Sequence, residues 1–238
     1  MCDYELLDYS EIGAGENVLL LHGWGANKNC WGNLLDLSVD YHVWALDLWG
    51  FGNSPEPPLN ANTSDFSLGV EDFIKNRIGT NVTVVGHSFG GRIALCLAQT
   101  DWVKRLILVD SAGVKPRFSL KKYLTKTRYK RLKHLVSEGR KPQAVLARFG
   151  SNDYKNASVV MRSVLVNAVN ENLVNLAKKV RVPTQIIWGR YDKVTPLYMA
   201  KTLRKAIKKS RLSVVSAGHF CFLDGNILPQ IYKFLESS

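Results

Sequence analysis

The stretch from Val82 to Ala98 limits what this chain can fold into more than any other. Val82, Val84 and Val85 are β-branched and suit a buried strand. Ile93, Ala94, Leu95, Leu97 and Ala98 suit a helix, and only Gly86-His87-Ser88-Phe89-Gly90-Gly91 lies between the two. A G-x-S-x-G pattern at a strand-to-helix junction forces its serine into a sharp, strained turn, and side chains at the flanking glycines would collide. The turn sets Ser88 near the positive end of the helix, where the N–H of Phe89 points outward and unpaired.

The rest of the chain repeats that alternation. Asn17–Leu21 is a short apolar run ending at His22-Gly23-Trp24-Gly25, and a helix is expected over Trp31, Leu34, Leu35 and Leu37. His42–Leu48 reads as the next strand and runs into Trp49-Gly50-Phe51-Gly52-Asn53-Ser54-Pro55. A helix is expected near Asp65–Arg77, a strand over Val103–Val109 that ends at Asp110, then strands over Thr184–Trp188 and Leu212–Val215. Residues 3 to 9 alternate weakly, as an edge strand would. Strands alternating with helices imply a parallel sheet covered on both faces, whose ligands bind at the carboxyl ends of the strands. His22, Asp47, Ser88 and Asp110 all stand at such ends.

The alternation stops near residue 114 and resumes near 183. The expected architecture is therefore a core of residues 1–114 and 183–238 with a helical lid, 115–182, laid over the strand ends. Ala157, Val160, Met161, Val164, Leu165 and Ala168 recur at helical spacing and mark one buried face of that lid. Earlier in it, Leu120, Tyr123, Leu124, Leu132, Leu135 and Val136 are embedded in lysines and arginines, and Gly139 and Pro142 are expected to end the helix. The net charge of +12 is concentrated here: residues 115–148 carry twelve Lys and Arg against the single acid Glu138.

A serine hydroxyl is a weak nucleophile at neutral pH and needs a base and a carboxylate that orients the base. Ser88, Asp192 and His219 follow one another in the order described for hydrolases with a strained nucleophile turn. His219 follows the last strand after Gly218, and Asp192 lies in Gly189-Arg190-Tyr191-Asp192-Lys193-Val194-Thr195-Pro196, a turn with a proline helix start. Asp110 competes for the carboxylate role, whereas Asp47 is expected to brace its own glycine-rich loop. The remaining histidines are poorer bases, His87 because it points away from so tight a turn. Backbone N–H groups of Phe89 and Trp24 are the expected oxyanion donors.

With these motifs in view, the sequence resembles the α/β-hydrolase superfamily over almost its whole length. It looks like the small lid-bearing esterases and carbon–carbon bond hydrolases of bacteria. The resemblance implies a mostly parallel, doubly wound sheet, one strand short at its N-terminal edge, and an ester-cleaving enzyme using Ser88, Asp192 and His219 with no cofactor and no metal. The expected partner is a small-molecule ester. The basic lid reads first as a solvated helical face; the sharper alternative is that it attracts an acidic partner, such as an acyl carrier protein, a membrane surface or an anionic substrate, while no nucleic-acid motif is recognisable. No apolar run is long enough to span a membrane. The acidic N-terminus and the scattered Cys2, Cys30, Cys96 and Cys221, without metal-like spacing, suggest a cytoplasmic protein with free thiols.

Overall fold

The computed structural model describes residues 7–117, 120–149 and 151–237, apart from the side chains of residues 120–123, 126 and 147. The readings of residues 3 to 6, of Cys2 and of the Leu120 and Tyr123 side chains lie outside that description.

Seven strands form one sheet in the order β1-β3-β2-β4-β5-β6-β7. They are β1 (Tyr9–Ile12), β2 (Glu16–Leu21), β3 (Tyr41–Leu46), β4 (Val82–His87), β5 (Val103–Val109), β6 (Thr184–Gly189) and β7 (Ser210–Val215). Only β1 is antiparallel, along β3 at the sheet edge. It is the one strand before β2 among the described residues, and it runs from Tyr9 to Ile12, beyond the expected end at residue 9.

The two-residue period of the strands divides the core into two layers. Leu19, Leu21, Val84, Leu106, Leu108, Ile186 and Trp188 face one layer. Over it pack α1 (Thr63–Phe73), α2 (Phe89–Leu97) and, further along the chain, a helix over Tyr198–Ala206. Val18, Leu20, Val85, Ile107, Val109 and Ile187 face the other layer, closed by Trp31, Leu34 and Leu37 and by a C-terminal helix over Leu228–Glu236. Asn62 starts α1 with a reciprocal box: its side chain accepts from Ser64 N and Asp65 N while Asp65 reaches back to the Asn62 N–H.

The helix expected over Trp31–Leu37 is instead a 3-10 stretch, Lys28–Val39, broken at Gly32 (φ 51°, ψ −128°). Trp31, Leu34 and Leu37 recur at the three-residue period of a 3-10 helix, and all three are fully buried.

Between β5 and β6 the chain leaves the sheet. It forms α3 (Leu120–Ser137), a 3-10 turn (Gln143–Arg148), α4 (Asn152–Asn156), α5 (Val159–Asn170) and α6 (Val174–Ala177). After α3, Gly139 takes φ 72° and Pro142 follows, as their positions suggest. Helix α5 buries Met161, Val164 and Ala168 of the expected stripe, while Val160 and Leu165 are half-buried and Ala157 lies before the helix. Polar contacts fasten it to the core. Asn60 N–H donates to Ser163 Oγ (3.0 Å), and Asn167 Nδ2 donates to Asn60 O (2.8 Å). The buried Arg92 of α2 donates through Nη2 to Ala168 O and to Glu171 O (3.2 Å), and lies 3.7 Å from the Glu171 carboxylate. That carboxylate also accepts from the Thr63 N–H (3.2 Å) and hydroxyl at the start of α1.

Arg92→Leu removes the donor to the Ala168 and Glu171 carbonyls and, among the described residues, leaves the part-exposed Glu171 carboxylate to Thr63 alone. The loss of these hydrogen bonds is expected to lower unfolding free energy by about 1–3 kcal/mol, measured by urea denaturation. A loss within about 0.5 kcal/mol would show that the clasp carries no stability.

Candidate active site

Ser88 closes β4 at φ 49° and ψ −108°, a backbone conformation that side chains rarely tolerate. Packing leaves no alternative. A Cβ on Gly86 would lie 2.6 Å from Gly90 O and 2.7 Å from Gly91 Cα, and one on Gly90 would lie 2.0 Å from Leu21 O. Real side chains cannot fit there, so the turn folds flat against β2 and lifts Ser88 above the sheet rim.

The last helices, α7 (Tyr198–Ala206), α8 (Cys221–Asp224) and α9 (Leu228–Glu236), follow the loops that bring the partners in. His219 Nε2 lies 3.1 Å from Ser88 Oγ, and its Nδ1 lies 2.8 Å from Asp192 Oδ2. The three residues singled out from sequence are thus brought together across 131 positions of chain. With the carboxylate accepting, Nδ1 carries the proton and the Nε2 lone pair faces the hydroxyl. Burial disfavours the charged Asp192, but hydrogen bonds from His219 and Thr195 outweigh it and hold the carboxyl below its ordinary range. The Val194 and Thr195 N–H groups donate to Oδ1 (2.7 and 2.9 Å), and the Thr195 hydroxyl lies 2.6 Å from Oδ2.

Asp110, the competing carboxylate, faces the other way. It too ends its strand at positive φ (44°), and its oxygens accept from Gly189 N–H (2.7 Å) and Cys221 N–H (3.1 Å). Gly189 opens the loop of Asp192, and Cys221 lies two residues past His219. One carboxylate therefore ties together the segments that carry the acid and the imidazole. Burial pushes this carboxyl up to about 6 despite the two donors.

His22 and His87 are braces. His22 Nδ1–H donates to Gly23 O (2.8 Å) and Nε2 accepts from Leu48 N–H (3.0 Å), pinning the loop after β2 to the loop after β3. Burial lowers its pKa, which keeps it neutral. His87 Nε2–H donates to His219 O (2.8 Å), while its ring packs against His219 and Phe222. Burial drives its pKa down to about 3, so it stays an uncharged prop. Asp47 braces its own loop as expected, accepting from Lys28 N–H (2.6 Å) and Asn53 N–H (2.9 Å). At the start of α2, Gly90 N–H donates to His22 O and Gly91 N–H to Ser88 O. Among the described residues the Phe89 and Trp24 N–H groups have no acceptor. Their rings pack edge to face at 5.4 Å, and each also meets Phe51.

A sequence profile described as the alpha/beta hydrolase family matches residues 18–226. The chain belongs to that family. A Lipase 1 of Psychrobacter immobilis is 27% identical over 236 residues, 89% of this chain and 74% of that protein. A 2-hydroxymuconate semialdehyde hydrolase of a Pseudomonas strain is 36% identical over 115 residues, 44% of this chain and 39% of that protein. Among solved structures, an esterase from Exiguobacterium antarcticum superposes with a TM-score of 0.72 at 27% identity, covering 97% of this chain and 94% of that one. Family and neighbours support a hydrolase.

The two carboxylates should separate in mutagenesis. Asp192→Asn presents an amide to His219 Nδ1 and is expected to lower kcat about 10³- to 10⁴-fold. Asp110→Asn should act mainly on folding, and a larger kcat loss there than at Asp192 would reverse the assignment. Their pH signatures also oppose. Folded protein holds the Asp110 proton more tightly than the unfolded chain, so this group lowers stability as pH rises from about 4 to about 6. The Asp192 contribution is complete above the ordinary carboxylate range and is lost as pH falls through its lowered folded value. Urea unfolding against pH should show each slope vanish in the matching Asn variant.

Proposed function

We propose that the protein is a serine hydrolase of carboxylic esters with small to medium acyl chains. The observation that carries this reading is the continuous path from Ser88 Oγ to His219 Nε2 (3.1 Å) and from His219 Nδ1 to Asp192 (2.8 Å), mounted on a strained turn. His219 takes the hydroxyl proton as Oγ bonds to the ester carbon. The carbonyl oxygen, now an oxyanion, accepts from the Phe89 and Trp24 N–H groups. Such a donor is typically worth about 100- to 1000-fold in rate. Collapse breaks the ester bond, and the alcohol leaves with the proton from His219. Water then gives its proton to His219 and attacks the acyl–Ser88 ester, which releases the acid and restores the serine. Asp192 holds the imidazole in the right tautomer throughout. No metal or organic cofactor enters these steps.

The half-buried Trp24 and Phe51, packed on Phe89, offer an apolar wall to an acyl group. The names of the lipase and esterase relatives agree with an ester substrate. Residues 115–182, between the rim strands β5 and β6, serve in this reading as a lid whose α5 is the fixed part. Cys30, Cys96 and Cys221 are free thiols, in keeping with a reducing, cytoplasmic setting.

The stretch shared with the 2-hydroxymuconate semialdehyde hydrolase favours a second reading, hydrolysis of a carbon–carbon bond by the same three side chains. A panel of esters, thioesters and carbon–carbon substrates separates the two by which class turns over fastest.

Ser88→Ala should reduce turnover of p-nitrophenyl acetate and butyrate about 10⁶-fold while leaving the urea midpoint unchanged. Activity within about tenfold of the parent would refute Ser88 as nucleophile.

A further inference from the structure

A cleft of about 300 Å³ opens between α3 and the 3-10 turn Gln143–Arg148. Its walls are Arg128, Lys141 and Arg148 together with Leu132, Val145 and Phe149, none of which belongs to the Ser88 site. No carboxylate is among these lining residues. Glu138, the single acid of residues 115–148, is 3.2 Å from His134 and 3.5 Å from Arg140. The three cations stand exposed at the rim, whereas the three apolar side chains beneath are half-buried. A cationic mouth over an apolar floor fits a ligand with an anionic head and a hydrocarbon body.

The helix face leading into the cleft has the same character. Leu124, Arg128 and Leu132 follow at four-residue spacing, so they line one stripe of α3. Leu124 is an apolar side chain and is 58% exposed. Lys130, Arg131 and Lys133 stand exposed on the same helix. A cluster of exposed lysines and arginines on one helix is suited to draw it to an anionic bilayer surface. Single-stranded nucleic acid would need exposed rings to stack on, but Tyr129 is half-buried against Phe149 at 5.5 Å.

We infer that this cleft is a headgroup site for an anionic phospholipid, which seats α3 on an anionic bilayer surface. The phosphodiester sits among Arg128, Lys141 and Arg148, and the glycerol and upper acyl carbons rest on Leu132, Val145 and Phe149. The inference goes beyond the hydrolase reading and does not depend on which bond is cleaved.

The test is co-sedimentation of the full-length Ser88→Ala protein, so that lipid is not consumed. Vesicles are phosphatidylcholine alone or with about 30 mol% phosphatidylglycerol. Binding to the anionic vesicles should be at least about tenfold tighter and should weaken as salt rises. Neutralising the cleft (Arg128→Gln, Lys141→Gln, Arg148→Gln) should cost about 100-fold, at least severalfold more than the same charge removed outside it (Lys130→Gln, Arg131→Gln, Lys133→Gln). Thermal unfolding of both triples checks the fold. If the cleft triple melts early, the single exposed Lys141→Gln must still weaken binding severalfold more than Lys133→Gln. Equal losses in the two sets would overturn the site, as would equal binding to pure phosphatidylcholine. Displacement of the protein from vesicles by inorganic phosphate at matched ionic strength would reassign the cleft to a free anion. Displacement by oligodeoxythymidylate would reassign it to nucleic acid. A failure here leaves the ester reading intact, because binding is read without turnover.

Discussion

Ser88 stands at φ 49° because its neighbours give the backbone no other course. The contact of Gly90 with Leu21 O and that of Gly86 with Gly90 and Gly91 press the turn against β2. A non-glycine residue held there costs about 1–3 kcal/mol, which the surrounding core must offset. The fully buried Val84, Val85, Ile93 and Ala94 on either side supply that restraint. The strain has a geometric result: a hydroxyl raised above the rim, next to the first N–H of α2, while the strand below stays regular.

The other members of the site are held by buried polar links rather than by strain alone. Asp110 is the centre of these. It accepts from Gly189 N–H on one side and Cys221 N–H on the other, so one carboxylate ties the loop after β6 to the loop after β7. His87, adjacent to Ser88, grips the carbonyl of His219 and so refers the imidazole to the strand that carries the hydroxyl. Keeping both histidine braces uncharged is an outcome of burial. A neutral ring can donate and accept without pulling the His219–Asp192 pair toward a different charge state.

Much of this was legible in the residues themselves. Each strand that matters is a short apolar run closed by a distinctive turn, and Ser88, Asp192 and His219 each sit in one. Asp110 and Asp192 could be ranked by their turn chemistry, and Asp192 is the one that lies 2.8 Å from His219 Nδ1. What the pattern did not reveal depends on contacts between distant segments. The pairing of Arg92 with Ala168 and Glu171 spans 76 and 79 positions, and nothing local to an arginine in an apolar helix announces it. Lys28–Val39 is a 3-10 stretch interrupted at Gly32, with Trp31, Leu34 and Leu37 all buried. A helical period of apolar residues cannot tell a tight helix from a regular one.

The Arg92 clasp has a consequence for how such a chain can change over generations. It fixes α5 to the same helix that presents Ser88, and at the other end of the insertion the Arg117 guanidinium stacks 4.3 Å above the Tyr198 ring. Among the described residues between Arg117 and Ser158, Tyr154 and Lys155 are held as well, their carbonyls accepting from the Arg162 guanidinium of α5 (2.8 and 2.9 Å). Length, charge and sequence can drift within that span without transmitting a shift to the hydroxyl. New specificities can then be sampled on an unaltered chemical engine, and grafts made at those two joints should inherit the same freedom.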